Sequence, residues 1–118
     1  YEGTAEDADK ASWKSPYDKP LVMSEFGADA KYGYHADAAT RWSEEFQEKV
    51  YEHQVKMLDR IDFLRGTSPW ILMDFRSPRR LLPGIQDYFN RKGLVTIHGE
   101  KKKAFYVLQK WYRDKAAK

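Results

Sequence analysis

Cysteine is absent from this 118-residue chain, which removes disulfides, thiolate metal sites and cysteine nucleophiles at once. That absence does not identify a redox compartment, so localisation stays open. No run of about 18 apolar residues occurs, and no membrane-spanning helix or membrane partner is expected. The opening, YEGTAEDADK, is acidic where a secretion leader is basic and then apolar, so an intact signal peptide is not expected. Asparagine occurs once, at Asn90, and the three histidines form no His-x-x-x-His pair, which leaves no support for a metal site. Ser24 lacks a Gly-x-Ser-x-Gly context and no glycine-rich phosphate cradle is found, so serine-hydrolase and nucleotide-binding chemistry fall away and no cofactor is expected.

What the chain does contain is enough apolar material to pack. Hydrophobic residues make up 42% and aromatics 15%, which argues for one folded unit over residues 1–118 rather than a disordered tail. No repeat, low-complexity tract or linker divides it. The net charge of +3 is unevenly spread: residues 1–62 hold 14 acids and 8 bases, residues 63–118 hold 4 acids and 13 bases. No contiguous arginine-rich stripe with interleaved aromatics is present in the basic half. Pairing between the two halves, or a solvated face, is therefore expected over a nucleic-acid partner.

Residues 1–15 read as a frayed helix end, broken by Ser15-Pro16. Leu21-Val22-Met23-Ser24, entered through Pro20, reads as a short strand buried on both faces. Residues 28–42 lack a period and form a long loop. Ser43 is placed as an N-cap, with Glu44 and Glu45 in the first turn where the helix dipole favours anions. Phe46, Val50, Val55, Met57, Leu58, Ile61 and Leu64 then form the inward stripe of a helix closed by Gly66. Trp70 to Phe75 reads as a second doubly buried strand. Residues 76–101 form a connection, and Lys102 to about Lys115 a last helix packing through Phe105, Leu108, Trp111 and Tyr112. Strand, loop, helix, given twice, defines a parallel α/β arrangement. Two strands cannot cover a parallel sheet on both faces, so the pattern suggests a section of a larger barrel or open sheet.

Glu25 is the sharpest chemical position, because it ends an apolar strand and precedes Gly27 and a long loop. Catalytic groups of parallel barrels project from strand carboxyl ends. The alternative is a carboxylate that caps the strand by accepting from loop amides. Trp70, at the start of the second run, is either a core residue or a flat surface for a ligand. Asp29 and His35 are equally suited to fixing the loop by local hydrogen bonds.

The segments KPLVMSEFG, DAKYGYH and WSEEFQ resemble, with gapless spacing, the nucleophile region of glycoside hydrolase family 2 β-glucuronidases. Downstream, Pro69-Trp70 through Asp74-Phe75, Asn90-Arg91-Lys92-Gly93 and Lys103-Ala104-Phe105 resemble that family's last strand, substrate loop and final helix. The resemblance covers essentially the whole chain. It implies a C-terminal fragment of a TIM (β/α)8 barrel, about its last two βα units. It implies further that Glu25 is the nucleophile of a retaining exo-β-glycosidase, that Trp70 floors the sugar site, and that Asn90 and Lys92 hold a sugar carboxylate.

A retaining enzyme also needs an acid/base carboxyl group about 5 to 5.5 Å from its nucleophile. The family draws this group from an Asn-Glu pair on an earlier strand, and here the sole asparagine is followed by arginine. The resemblance thus implies a nucleophile half, inactive alone, whose partners are a β-glycoside substrate and the rest of the barrel with its N-terminal β-domains. Homo-oligomerisation is left open. Neutral-sugar members can also carry Asn-Arg-Lys-Gly, which keeps a β-galactosidase as the alternative, beside a non-catalytic carbohydrate-binding or interaction fragment. Gln86 stands where the family's glucuronidases place an arginine, and Arg76, Arg79 and Arg80 lie in the preceding loop as candidate substitutes.

Overall fold

The computed structural model describes residues 4–118. Along the chain run α1 (Ala5–Lys10), β1 (Leu21–Met23), α2 (Glu44–Asp59), β2 (Leu64–Thr67), β3 (Phe75–Arg76), β4 (Phe89–Asn90) and α3 (Lys103–Ala116). β1 and β2 are parallel, pairing Leu21 with Leu64, Val22 with Gly66 and Met23 with Thr67. The helix α2 makes the crossover between them, as a parallel pair requires. β3 and β4 form a separate antiparallel pair, Phe75 opposite Asn90 and Arg76 opposite Phe89.

The core lies where α2 and α3 meet. Tyr51 and Leu58 of α2 pack with Ala104, Leu108 and Trp111 of α3, and Phe26 and Leu94 close the cluster. Burying a leucine fully contributes roughly 1.5 to 3 kcal/mol, so this seam is the main apolar contribution to stability. Phe26 meets Tyr51 edge to face, with centroids 5.8 Å apart. Gly27 follows at φ +146°, and a Cβ there would stand 2.6 Å from both the Trp70 carbonyl and the Tyr51 hydroxyl. Only glycine lets the chain leaving β1 pass this close to the chain leaving β2.

Several expectations change. The stripe through Ile61 and Leu64 does not continue the helix: α2 ends at Asp59, and Leu64, Gly66 and Thr67 belong to β2. Gly66 is a strand residue lying against Val22, not a helix stop. Trp70 to Phe75 is not a continuous strand either. Its amides answer different segments: Trp70 N–H donates to the Phe26 carbonyl, Ile71 to Lys92 and Asp74 to Val95. The backbone of residues 71–74 bonds only the 92–95 stretch and forms one isolated parallel bridge, Met73 with Val95, rather than an extended strand. Neither apolar run is covered on both faces among the described residues, since Val22 is 60% and Leu72 61% exposed. The opening helix ends at Lys10, and the 76–101 connection contains the β3–β4 pair.

Ser43 is the N-cap, its Oγ accepting from the Phe46 amide at 3.0 Å. The two glutamates after it reach well beyond their own turn. Buried Glu44 accepts from the Gly33 amide at 2.7 Å and the Lys103 amide at 2.9 Å. Glu45 accepts from the Ala36 amide at 3.1 Å and pairs with His35 Nδ1 at 2.8 Å and Lys103 Nζ at 3.1 Å. Together they fasten the 28–42 loop to the starts of α2 and α3. His35 is thus a loop-fixing residue.

Burial works against the charge of Glu45, but hydrogen bonds from His35, Lys103 and the Ala36 amide outweigh it and bring its carboxyl from 4.5 to about 2. A depressed carboxyl contributes stability that is complete above its unfolded value and lost as pH falls through the folded one. The chain should therefore lose thermal stability between pH 4.5 and about pH 2. Glu45→Gln should lower the melting temperature at pH 7 and flatten that acid limb, which melts followed by circular dichroism across pH will check.

Candidate active site

Two residues beyond β1, Glu25 emerges exposed from the strand's carboxyl end, while buried Phe26 beside it anchors the backbone. Trp70 arrives three residues beyond β2, and its amide donates to the Phe26 carbonyl at 2.8 Å. The Trp70–Ile71 peptide is cis. The indole, 37% exposed, meets Phe75 edge to face with centroids 6.2 Å apart. An exposed carboxylate and a part-exposed indole thus stand at the same end of the parallel pair.

Asn90 closes β4, and its Oδ1 accepts from the Lys92 amide at 2.9 Å, a turn that asparagine forms readily. Lys92 Nζ lies 3.0 Å from Asp29 Oδ1 and 3.1 Å from Oδ2, with both side chains largely buried. Glu25, Trp70, Asn90 and Lys92 all line one cleft of about 450 Å³. Asp29 lines it too, so beyond any loop-fixing role it is the anion facing Lys92. Gln86 and, among the three loop arginines, Arg80 also lie on its wall.

Arg41 and Trp42 complete the wall, and the sequence reading gave them no role. Trp42 has φ +74° and bridges to Ala30, a geometry set by the return of the long loop that composition does not disclose.

A second omission underlies the site. Lys102 and Asp74 are both fully buried and lie 2.9 Å apart. Lys102 Nζ also donates to the carbonyls of Ala30 at 2.6 Å and Arg91 at 3.1 Å. Asp74 Oδ1 accepts from the Gly93 amide at 2.9 Å, and the Arg91 guanidinium stands 3.6 Å from Oδ2. Burial pushes the Asp74 carboxyl up and the Lys102 ammonium down, each opposed by the attraction of the other. A Cβ on Gly93 would overlap the Asp74 backbone nitrogen, so glycine is required at this approach. The sequence pattern places Lys102 at the start of a helix and Asp74 within an apolar strand. The available signal was an aspartate inside Trp70–Phe75, since a charge in an apolar run is rare without a buried partner.

No family model matches the chain. Individual relatives do. The β-glucuronidase of Paenibacillus borealis is 32% identical over 94 residues, covering 80% of this chain and 14% of that protein. The β-glucuronidase of Felis catus is 33% identical over 106 residues, covering 86% and 15%. Among solved structures, a GH2 β-galacturonidase from Eisenbergiella tayi bound to galacturonate matches with a TM-score of 0.73 and 30% identity, over 81% of this chain and 17% of that one. The β-D-glucuronidase of Dictyoglomus thermophilum matches with a TM-score of 0.67 and 34% identity, over 80% and 16%. The chain spans about 15% of the length of these curated relatives. Fold, cleft and relatives together define a βα segment of the glycosidase class. The chain belongs to glycoside hydrolase family 2, among its glucuronidase-type members.

Breaking a buried ion pair by removing one partner costs about 3 to 5 kcal/mol, because the other charge is left without compensation. Lys102→Met should lower the denaturation free energy by that order. Adding Asp74→Asn should recover part of the loss in a double-mutant cycle. Urea titrations of the single and double variants measure both, and simple additivity would mean that the pair does not act as a unit.

Proposed function

We propose that this chain supplies the nucleophile-bearing part of a retaining exo-β-glycosidase that removes terminal β-linked uronic acids, and that β1 and β2 are the last two strands of its (β/α)8 barrel. The observation that carries the reading is one cleft joining Glu25, Trp70, Asn90 and Lys92 at the carboxyl ends of a parallel pair. The β-glucuronidase and β-galacturonidase relatives support it.

In this mechanism the Glu25 carboxylate attacks the anomeric carbon of the bound sugar. The bond to the leaving oxygen breaks as that oxygen takes a proton from a second carboxyl group, giving a covalent glycosyl-enzyme intermediate. Water then attacks the same carbon after giving its proton to that second group, and Glu25 leaves as carboxylate. The second group comes from barrel strands outside this chain, so the chain alone is inactive. Trp70 offers an apolar plane to a pyranose face. Lys92 gives a charge-assisted hydrogen bond to the sugar carboxylate, while the free N–H groups of the Asn90 amide hold the same end of the ring. Gln86, in place of an arginine, keeps a β-galactosidase as the second reading.

In the assembled enzyme, Glu25→Gln should leave the melting temperature within about a degree while removing most turnover, since an amide keeps the shape but not the nucleophile. Near wild-type turnover of nitrophenyl β-glycosides by that variant would defeat the assignment. A charge-assisted hydrogen bond contributes about 1.5 to 3 kcal/mol, so Lys92→Ala should lower glucuronide kcat/KM by roughly ten- to a hundredfold. Galactoside kcat/KM should barely change. Equal losses on both substrates would make Lys92 a loop-structuring residue and favour the neutral-sugar reading.

A further inference from the structure

The cleft carries more positive charge than the roles proposed for Asn90 and Lys92 use. Lys92 is already engaged by Asp29. At the end of β3, Arg76 lies over the Phe89 ring at 5.7 Å, and in the loop that follows Arg79 is exposed and does not line the cleft. Arg91 is spent too, over the Phe89 ring at 4.9 Å with its Nε donating to the Ile85 carbonyl at 3.0 Å. Arg80 differs from all of these. It is half-buried on the cleft wall beside Gln86 and Asn90, and among the described residues no hydrogen bond or ion pair engages its guanidinium.

Its position is nevertheless firmly set. The Arg80 amide donates to the Ser77 carbonyl at 3.0 Å, and the Arg80 carbonyl accepts from the Tyr88 amide at 2.7 Å. Asp87 and Tyr88, at φ +46° and +69°, turn the chain back to make that second bond. Lys31 Nζ donates to the Gly84 carbonyl at 2.6 Å and ties the loop to the Glu25 side of the cleft. A half-buried guanidinium without an anion, on a loop fixed at both ends, is an incomplete site for a planar anion. Guanidinium matches a carboxylate with two parallel N–H···O bonds, a geometry that an ammonium does not offer.

The geometry points to Arg80 as a specificity residue that, with Lys92, binds the carboxylate of a terminal uronic acid. This rests on the uronidase reading above and adds the residue that compensates for Gln86. Asp29 draws on the charge of Lys92, and Arg80 supplies a positive charge that no ion pair engages among the described residues. Two cations and one paired aspartate then face the sugar carboxylate.

The test is made in the assembled enzyme with Arg80→Gln, Arg80→Lys and the neighbouring control Arg79→Gln, using nitrophenyl β-glucuronide, β-galacturonide, β-galactoside and β-glucoside. Arg80→Gln should lower kcat/KM on both uronides by roughly ten- to a hundredfold, chiefly through KM, and leave the neutral glycosides within about twofold. Arg80→Lys should recover part of the uronide loss, and Arg79→Gln should change neither class. A wild-type enzyme that prefers uronides and keeps that preference in Arg80→Gln overturns the role of Arg80 alone. Equal losses on charged and neutral sugars also overturn it, by making Arg80 a scaffold for the loop. A wild-type enzyme that hydrolyses neutral glycosides and no uronide overturns the uronidase reading, and the role of Arg80 with it.

Discussion

One buried ion pair, Asp74 with Lys102, holds the candidate site together. Taking two charges out of water costs several kcal/mol each, and the cost is offset only when the remaining hydrogen-bonding capacity is also used. Here most of it is used on the chain itself, while the buried Asp74 Oδ2 makes no hydrogen bond and has the Arg91 guanidinium 3.6 Å away. Lys102 binds the carbonyls of Ala30 and Arg91, one on the loop that follows Glu25 and the other between Asn90 and Lys92. Asp74 binds the Gly93 amide at the end of the same loop. A single ammonium at the start of α3 therefore sets the spacing between the two walls of the cleft. Because both charges are desolvated, neither loop shifts without exposing an uncompensated group, which gives the walls a rigidity that their lack of secondary structure would not supply.

The same principle operates more weakly across the surface. The acidic first half and basic second half of the sequence meet in Asp29–Lys92, Glu45–Lys103 and Asp59–Lys115. The exposed Asp59–Lys115 pair contributes little stability, as solvent screens it. The more buried Asp29 pair connects the loop after Glu25 to the loop carrying Asn90 and Lys92, and the Glu45 pair connects α2 to α3. Part of the charge asymmetry in the sequence thus pairs across an internal seam.

What could be read in advance followed from local chemistry. Ser43 before two glutamates marks a helix start whatever lies elsewhere, and a proline-led apolar run ending in Glu25 marks a strand end. The final helix follows from its own period. Glu25, Trp70, Asn90 and Lys92 carried a spacing that resembled a family, and all four line one cleft. The reading failed where partners are distant in sequence. Leu64 continued a helical stripe closed by Gly66, yet Leu64 to Thr67 became strand β2, because β1 offered a parallel edge that periodicity cannot register. Trp70 to Phe75 had strand composition, but its amides divide between Phe26 and the 92–95 stretch and leave only an isolated bridge, Met73 with Val95. Lys102 lies in a run of three lysines that reads as solvated, and only the fold shows which one enters the interior.

The turn at Asn90 has a consequence for the polarity of hydrogen bonding in the cleft. One lone pair of its carbonyl oxygen is taken by the Lys92 amide, so its side chain is left to offer a ligand chiefly its N–H groups. Lys92 and Arg80 likewise offer hydrogens and no lone pairs. That wall is a row of donors, whereas Glu25, while ionised, can only accept. A sugar hydroxyl lying between them has one hydrogen to give and must direct it toward the carboxylate, turning its lone pairs toward Asn90. The cleft therefore reads the direction of each hydroxyl as well as its position.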